Sequence, residues 1–288
     1  MSSDIDKLAE KTANLSIDPV YDTNWCDMPA EIKLECIGKM KFKERSTAKA
    51  ERLLVDSQNI QFSWGHFYND ARHVWLTSNN DEEFSKRFRN PNNGGEFLKY
   101  IWKIGVFKTF LIGSCFPTAK ETFLNYTGMI SADNIHIGSC DNEMVVDVLK
   151  KLTDGVKSIT MYCAEGFDYN FDEILEISQV QNSKNWFIEK YHQTDILAKF
   201  AQMWIDKNSK IGSTLSFSVK IDRAFDEFSE NFADRIVTIR EKKVRIRTNN
   251  SDRHILLDRG TNERLGRWLK LKFYRLSVIS ADMIESEF

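Results

Sequence analysis

Three cysteines close successive short apolar runs, and their placement is the first candidate for chemistry in this chain. Cys115, Cys140 and Cys163 each end one of the runs, and His136 lies inside the second. Thiolate and imidazole groups are typical zinc ligands, but zinc sites combine short Cys and His spacings, and none occurs in this sequence. The recurrence of cysteine at the end of successive runs is better explained by small buried side chains that stack on one another in a repeat. We therefore predict no metal site and no cofactor.

Two further groupings could support acid–base or nucleophilic chemistry. His66 and His73 are seven residues apart with Asp70 between them, a spacing that could place both rings on one helix face. Cys163 and His192 could act as a nucleophile and its base. No elbow or oxyanion-forming motif accompanies that pair in the sequence. Structural or surface roles are therefore the favoured interpretation of these histidines, and we predict no catalytic residue.

Motifs for binding nucleotides or nucleic acids are the next candidates. The sequence contains no P-loop, no G-x-G-x-x-G and no kinase or hydrolase signature. The basic run 240–247 could attract an acidic partner or RNA, but its alternation of apolar and charged residues favours a solvated strand. Forty basic against forty-two acidic residues leave a net charge of −2, which argues against a dedicated nucleic-acid binder. These features predict a protein that is not an enzyme and that binds other proteins.

Length and composition limit the architecture and the location. The 288 residues, 42% of them hydrophobic, can build a sizeable core in one or two domains. The longest apolar stretch, 100–116, contains Lys103 and Lys108 and is too short and too charged for a membrane span. Residues 1–11 are polar and do not resemble a secretory signal. Five cysteines without such a signal predict reduced thiols and a cytoplasmic or nuclear location.

Short β-like runs recur at regular intervals and predict a repeat. They begin at residues 110, 135, 159, 186 and 215, which are 25, 24, 27 and 29 residues apart. Segments with helical spacing of apolar residues lie between them, at 119–129, 142–152, 171–180 and 195–205. This alternation is typical of leucine-rich-repeat solenoids, in which the strands stack into one parallel sheet. The alternative is an unrelated α/β domain whose elements happen to be evenly spaced.

The remaining segments complete an expected α/β fold, α+β overall. Residues 223–232 have a helical pattern, and 235–240, 243–248, 253–258 and 268–279 predict strands of a C-terminal cap or small binding surface. The Asn- and Gly-rich stretch 90–95 is a loop signal and suggests the main boundary. The expected organisation is listed by range: a flexible tail 1–21, a helical segment 22–65, a linker region 66–99 and a βα-repeat domain 100–288.

Residues 25–45 have the pattern of an amphipathic helix. Asp27 is a suitable N-cap and Pro29 fits the first turn. Apolar residues then recur at helical spacing, at Ile32, Cys36, Ile37 and Met40. By pattern alone, this helix could simply pack on the core of its own chain.

The order of residues in this segment resembles the opening of an F-box, a helical motif that docks on a Skp-type adaptor. The resemblance rests on Met28, Pro29, Glu31, Ile32, Ile37, Met40, Phe42 and Arg45. It implies that these eight residues bind the adaptor, with Glu31 and Arg45 making polar contacts at the rim. An F-box usually continues through a second, leucine-containing helix, whereas here the chain passes almost directly from Arg45 to Ala48 and is several residues shorter than that pattern.

Residues 171–184 are similar to a helix-then-strand signature of nematode F-box proteins that carry a C-terminal FTH or related F-box-associated domain. Gln179 and Lys184 match that signature, whereas Val180 replaces a frequent Trp and Ser183 a frequent Ala. The resemblance implies a substrate-recognition subunit of an SCF-type E3 ubiquitin ligase. Such a subunit binds a cullin through the adaptor and a protein substrate through its C-terminal domain. The shortened motif leaves open a repeat scaffold with a degenerate F-box, which would bind partners without ubiquitination.

Overall fold

The structure, a computed structural model, describes seven stretches of the chain. They are residues 60–67, 73–78, 83–113, 117–163, 166–219, 223–260 and 272–283. The expected tail at 1–21 and the F-box-like segment at 25–45 lie outside these described residues. The described part is a mixed α/β assembly built around one large sheet.

The described strands form a single twelve-stranded sheet. Their bounds are β1 Ile60–Phe67, β2 His73–Ser78, β3 Glu83–Arg87, β4 Gly105–Ile112, β5 Ser131–Ile137, β6 Ser158–Tyr162, β7 Asn185–Tyr191, β8 Thr214–Val219, β9 Ile236–Arg240, β10 Lys243–Arg247, β11 Arg253–Gly260 and β12 Lys272–Ser280. The spatial order is β3-β2-β1-β4-β5-β6-β7-β8-β12-β11-β10-β9. Pairing is parallel from β1 through β4 to β8 and antiparallel on both flanks.

Seven described α-helices connect these strands. Their bounds are α1 Pro91–Ile104, α2 Pro117–Leu124, α3 Asn142–Lys150, α4 Phe171–Leu175, α5 Ser178–Asn182, α6 Ile196–Asp206 and α7 Ala224–Asn231. The connections from β4 to β8 each lead to the next parallel strand on the same side. Because such crossovers share one handedness, their helices all lie on one face of the sheet. Contacts between successive helices fit this single layer. No helix in the described ranges is both long enough and apolar enough to cross a membrane.

The predicted rhythm of parallel strands is confirmed. Phe110, Ile135, Ile159, Phe187 and Leu215 lie on β4, β5, β6, β7 and β8, which pair in that order. Four of the five occupy one register row. On β7 the member of this row is Trp186, which precedes Phe187. All members of this row are 2% exposed or less. Each βα unit therefore contributes one apolar residue to the same layer of the core.

The structure corrects the expected domain boundaries. Residues 60–67, expected at the end of a helical segment and the start of a linker, form β1, which lies inside the sheet between β2 and β4. The linker region 66–99 contains β2, β3 and most of α1. A register shift between Phe62 and Trp64 interrupts the two-residue alternation of β1, and this hid the strand from pattern analysis.

The Asn- and Gly-rich stretch is a helix start and not a domain boundary. Asn90 caps α1 by accepting a hydrogen bond from the Asn92 N–H at 2.9 Å, and Pro91 occupies the first turn. Gly95 is buried, and a Cβ there would lie 3.0 Å from Thr122 Oγ1. The glycine thus permits the close approach of α1 and α2.

The C-terminal strands extend the same sheet. β12 pairs antiparallel with β8, and β11, β10 and β9 follow it outward. The expected strand-rich cap is therefore continuous with the parallel strands and is not a separate sheet. The helix expected over 223–232 is α7, as predicted.

Candidate functional site

The two faces of the sheet differ in what covers them. Buried strand residues contact aromatic residues of the helical layer: Trp186 lies 5.2 Å from Phe200 of α6, and Tyr191 lies 4.9 Å from Phe171 of α4, measured between ring centroids. Side chains alternate along a strand, so the residues between these buried ones project from the opposite face. We call this second surface the helix-free face, with reference to the described helices.

One continuous register row crosses the helix-free face over ten strands. We call it the central row, and its members are Trp75, His66, Leu111, His136, Thr160, Phe187, Ser216, Arg275, Asp258 and Lys243. All are half-buried except Arg275, which is exposed. The first seven residues carry aromatic, aliphatic, imidazole or hydroxyl groups, and the last three are charged. The face therefore has an aromatic half and a charged half.

A second register row consists of neutral polar residues. This polar row contains Thr109, Asn134, Ser158, Asn185, Thr214 and Ser277. Thr214 donates a hydrogen bond to the Asn185 side-chain oxygen at 3.0 Å, and the Asn134 amide donates to the Lys108 carbonyl at 2.7 Å. Hydroxyl and amide groups can donate and accept, so the row offers both functions to a peptide backbone.

Two imidazoles of the central row have perturbed pKa values. Burial lowers the pKa of His66, and the nearby His73 lowers it further. Burial alone lowers the pKa of His136. Both rings are therefore neutral at pH 7, because desolvation disfavours the charged form. The two imidazoles of the central row are accordingly mainly uncharged at neutral pH.

A strained residue lies at the carboxyl end of β7. Lys190 has a φ of 60°, a left-handed conformation that is uncommon for a non-glycine residue. Its backbone N–H donates to Ser218 Oγ at 3.1 Å, and its ammonium donates to the Tyr162 hydroxyl while lying 4.5 Å from that ring centroid. Burial raises the pKa of the adjacent Glu189, and Lys190 partly offsets this rise. An amine, a phenol and a carboxyl group thus lie together at the carboxyl ends of β6 and β7.

The charged half of the face contains an open cavity of about 710 Å³. Its walls include three residues of the central row, Lys243, Asp258 and Arg275, together with the turn 280–283. Arg245 holds this turn in place: it is 7% exposed, and its guanidinium donates to the carbonyls of Met283 at 2.8 Å, Ser280 at 3.4 Å and Ala281. The rim of the cavity is therefore anchored to β10.

The residues expected to bind an adaptor cannot be placed in this geometry. Met28, Pro29, Glu31, Ile32, Ile37, Met40, Phe42 and Arg45 all lie outside the described residues. The helix face that the spacing of His66 and His73 could have formed is not present: these residues lie on β1 and β2, and Asp70 is outside the described residues. Two neighbouring strands bring the rings to the same side of the sheet.

The cysteine and histidine residues considered for chemistry differ in their exposure. Cys163 is a free, buried thiol, and burial raises its pKa to about 12, so it is protonated at neutral pH. His192, its imagined base, is exposed, and its ring lies 5.1 Å from that of Tyr191. Cys140 is disulfide-bonded, which differs from the expectation of reduced thiols. Among the described residues, no group of three or more His, Cys, Asp or Glu side chains could hold a metal ion.

The polar row was missed by sequence reasoning, although a signal for it exists. Five of its members each stand immediately before an apolar residue of the buried register row, for example Thr109 before Phe110 and Asn134 before Ile135. Superposing the strand-like runs on one another would have revealed this shared position. The apolar residues of each run predicted the strands, and the polar residue that precedes each of them was not compared between runs.

Comparison with known proteins finds no match for this chain. No family model, no curated protein and no solved structure matches it. The helix-free face and the sequence pattern of residues 25–45 are therefore the features from which a function can be inferred.

Proposed function

We propose that this protein is a substrate-recognition subunit of an SCF-type E3 ubiquitin ligase. Residues 25–45 bind a Skp-type adaptor, which in turn holds the cullin, and the sheet domain binds a protein substrate. The observation that carries the substrate half of this proposal is the helix-free face with its aromatic half and its polar row. The sheet domain, on this proposal, is a leucine-rich-repeat-like array of the F-box-associated type.

The dimensions of the helix-free face suit a protein partner. The central row crosses ten strands, so at about 4.8 Å between neighbours it extends over roughly 43 Å. A standard protein interface needs about 800 Å² from each partner, which a face of this length can supply. Trp75 and Phe187 are suitable anchors, since aromatic side chains are enriched at the cores of protein interfaces.

The polar row complements these anchors. Extended segments of a substrate expose N–H and C=O groups, and the hydroxyl and amide side chains can pair with both. Neutral His66 and His136 add aromatic surface without a charge to desolvate. The face thus favours a substrate segment that is apolar over the aromatic half and polar or charged beside Arg275 and Asp258.

Capture of partners by the tagged full-length chain tests the proposal. Wild-type protein should recover an adaptor, a cullin and at least one further protein, identified by mass spectrometry. Phe187→Glu should lose the further protein and keep the adaptor and cullin. Recovery of neither adaptor nor cullin by the wild-type chain would overturn the proposal.

A repeat scaffold without ubiquitin transfer is the second candidate, and the shortened F-box-like segment favours it. In that case the helix-free face would still bind its partner, but no cullin would be recovered. Ubiquitination of the captured partner in a reconstituted reaction separates the two functions. Transfer that depends on this chain supports the ligase subunit, and its absence with all components present supports the scaffold.

A further inference from the structure

The two edges of the described sheet are chemically different. β3, at one edge, presents exposed Glu83, Lys86 and Arg87. β9, at the other edge, presents two apolar β-branched residues, with Val237 45% exposed and Ile239 54% exposed. Charged side chains on an edge strand oppose pairing with another chain, whereas exposed apolar ones permit it. Of the two edges, β9 is therefore the one suited to accept a further strand.

The backbone of β9 is also positioned for pairing. Among the described strands, β9 has only β10 as a neighbour. Arg240 pairs with Lys243 across a two-residue turn, and alternate residues of an antiparallel strand direct their N–H and C=O groups away from the partner. Ile239, which precedes Arg240 in the strand, therefore directs its backbone N–H and C=O groups away from β10, toward the outer edge.

We propose that a second copy of this chain adds to β9, strand against antiparallel strand, about a two-fold axis at Thr238. In this register Val237 of each copy lies opposite Ile239 of the other. The two most exposed apolar residues of the strand thus cover each other. The result is one continuous sheet running through both copies.

The charges flanking β9 select this register and this occupant. Asp234 and Arg235 precede the strand, and Glu241 and Lys242 follow it. Antiparallel pairing brings the start of one strand beside the end of the other, so Arg235 approaches Glu241 of the second copy and Asp234 approaches Lys242. An axis at Ile239 would instead bring Arg235 toward Lys243 of the second copy and place Val237 opposite Glu241. Complementary charge at both ends therefore favours a second copy centred on Thr238.

The contacts of these residues within one copy are compatible with the pairing. Arg235 donates to the Asn249 side-chain oxygen at 3.0 Å, and its guanidinium has further donors for a carboxylate. A register shift opposite Val237 shortens the regular part of the edge. Because β9 has five residues, the strand contact alone buries less than the roughly 800 Å² per partner of a stable complex. The dimer is therefore weak and depends on concentration.

Sedimentation of the full-length chain tests the pairing. We expect the average mass to rise from 33.6 kDa toward twice that value as the concentration increases from about 10 to about 300 µM. Ile239→Lys should remain a monomer over this range. Ile211→Lys is the matched control, since Ile211 is 51% exposed on the turn before β8 and should associate as the wild type does. A wild-type chain that stays monomeric, or an Ile239→Lys variant that dimerises equally, overturns the proposal.

Charge reversal and crosslinking test the register. Lys242→Asp should weaken the dimer at least about tenfold, and adding Asp234→Lys to it should restore wild-type association. Thr238→Cys should form a covalent dimer under mild oxidation, since residues facing each other at a non-hydrogen-bonded position lie about 4.5 Å apart. Val237→Cys should not form a covalent dimer, because in this register Val237 of one copy is offset by two residues from Val237 of the other. Failure of both the charge rescue and the Thr238→Cys crosslink would exclude the Thr238 register.

Discussion

At the helix-free face, single side chains determine what the surface can hold. Phe187 lies between Thr160 and Ser216 in the central row, so its ring is the apolar group between two hydroxyls. Its neighbours along the strand, Trp186 and Ile188, face the helical layer and are buried. Changing Phe187 therefore alters the face while the core contacts of β7 stay in place.

Phe187→Glu is expected to weaken substrate binding by tenfold or more, because an anchor is lost and a charge must be desolvated. Asn182→Glu adds the same charge at an exposed position of α5 on the helical layer, and it should bind as the wild type does. Capture of the substrate and the free energy of unfolding by urea are measured for both variants. Equal loss of binding in both would place the substrate elsewhere.

The half-buried imidazoles predict a dependence of stability on pH. The pKa values of His66 and His136 are lowered from their ordinary value of 6.5 in the folded chain. Below pH 6.5 the unfolded chain therefore binds protons that the folded chain does not, and stability falls until the lowered pKa values are passed. His136→Gln should show a smaller loss of unfolding free energy between pH 7 and pH 5 than the wild type. An unchanged slope in urea titrations at several pH values would contradict this.

At the scale of elements, the succession of parallel strands was predictable and its irregular start was not. The strands β4 to β8 each carry one apolar residue in the same register row, so their rhythm is visible in the sequence. β1 is interrupted by a register shift, and the start of α1 is rich in Asn and Gly because of capping and close packing against Thr122. In the sequence both segments have the composition or pattern of a loop, because local residue preferences give no information on the tertiary contacts that explain them.

The cap of α3 shows how one residue supports a βα unit. Asp141 accepts a hydrogen bond from the Met144 N–H at 3.0 Å and pairs with Lys120 of α2 at 2.9 Å. Burial alone would raise the pKa of Asp141, but the hydrogen bonds from Lys120 and Met144 lower it overall. Asp141→Ala should reduce the free energy of unfolding by about 1–2 kcal/mol, as for other N-caps. Asp154→Ala, at an exposed turn, is the control and should change it by less than about 0.5 kcal/mol.

At the scale of the whole molecule, the sheet sets where the chain can be divided. A compact unit comprises Asn59–Phe288, and β1 lies inside its sheet between β2 and β4. A fragment starting at Tyr100 lacks β1, β2 and β3 and would expose the edge of β4. The boundary expected from sequence near residue 100 would therefore cut the domain.

We expect the fragment 59–288 to be folded and the fragment 100–288 to aggregate or to unfold. Loss of β1 uncovers Phe107 and Phe110, which contact Phe67 at ring distances of 5.9 and 4.8 Å. Circular dichroism and gel filtration of the two fragments measure this directly. A cooperative thermal transition in the shorter fragment would show that β1 is dispensable.

Binding of the full-length chain to purified adaptor tests most directly the proposal that residues 25–45 dock on a Skp-type adaptor. Ile32→Asp places a carboxylate in the apolar stripe, whereas Lys33→Asp places the same residue one position along the chain, off the stripe. In titration calorimetry we expect the wild type and Lys33→Asp to bind, and Ile32→Asp to lose several kcal/mol of binding free energy. Wild-type affinity in Ile32→Asp, or no binding by the wild type, would contradict adaptor docking through this segment.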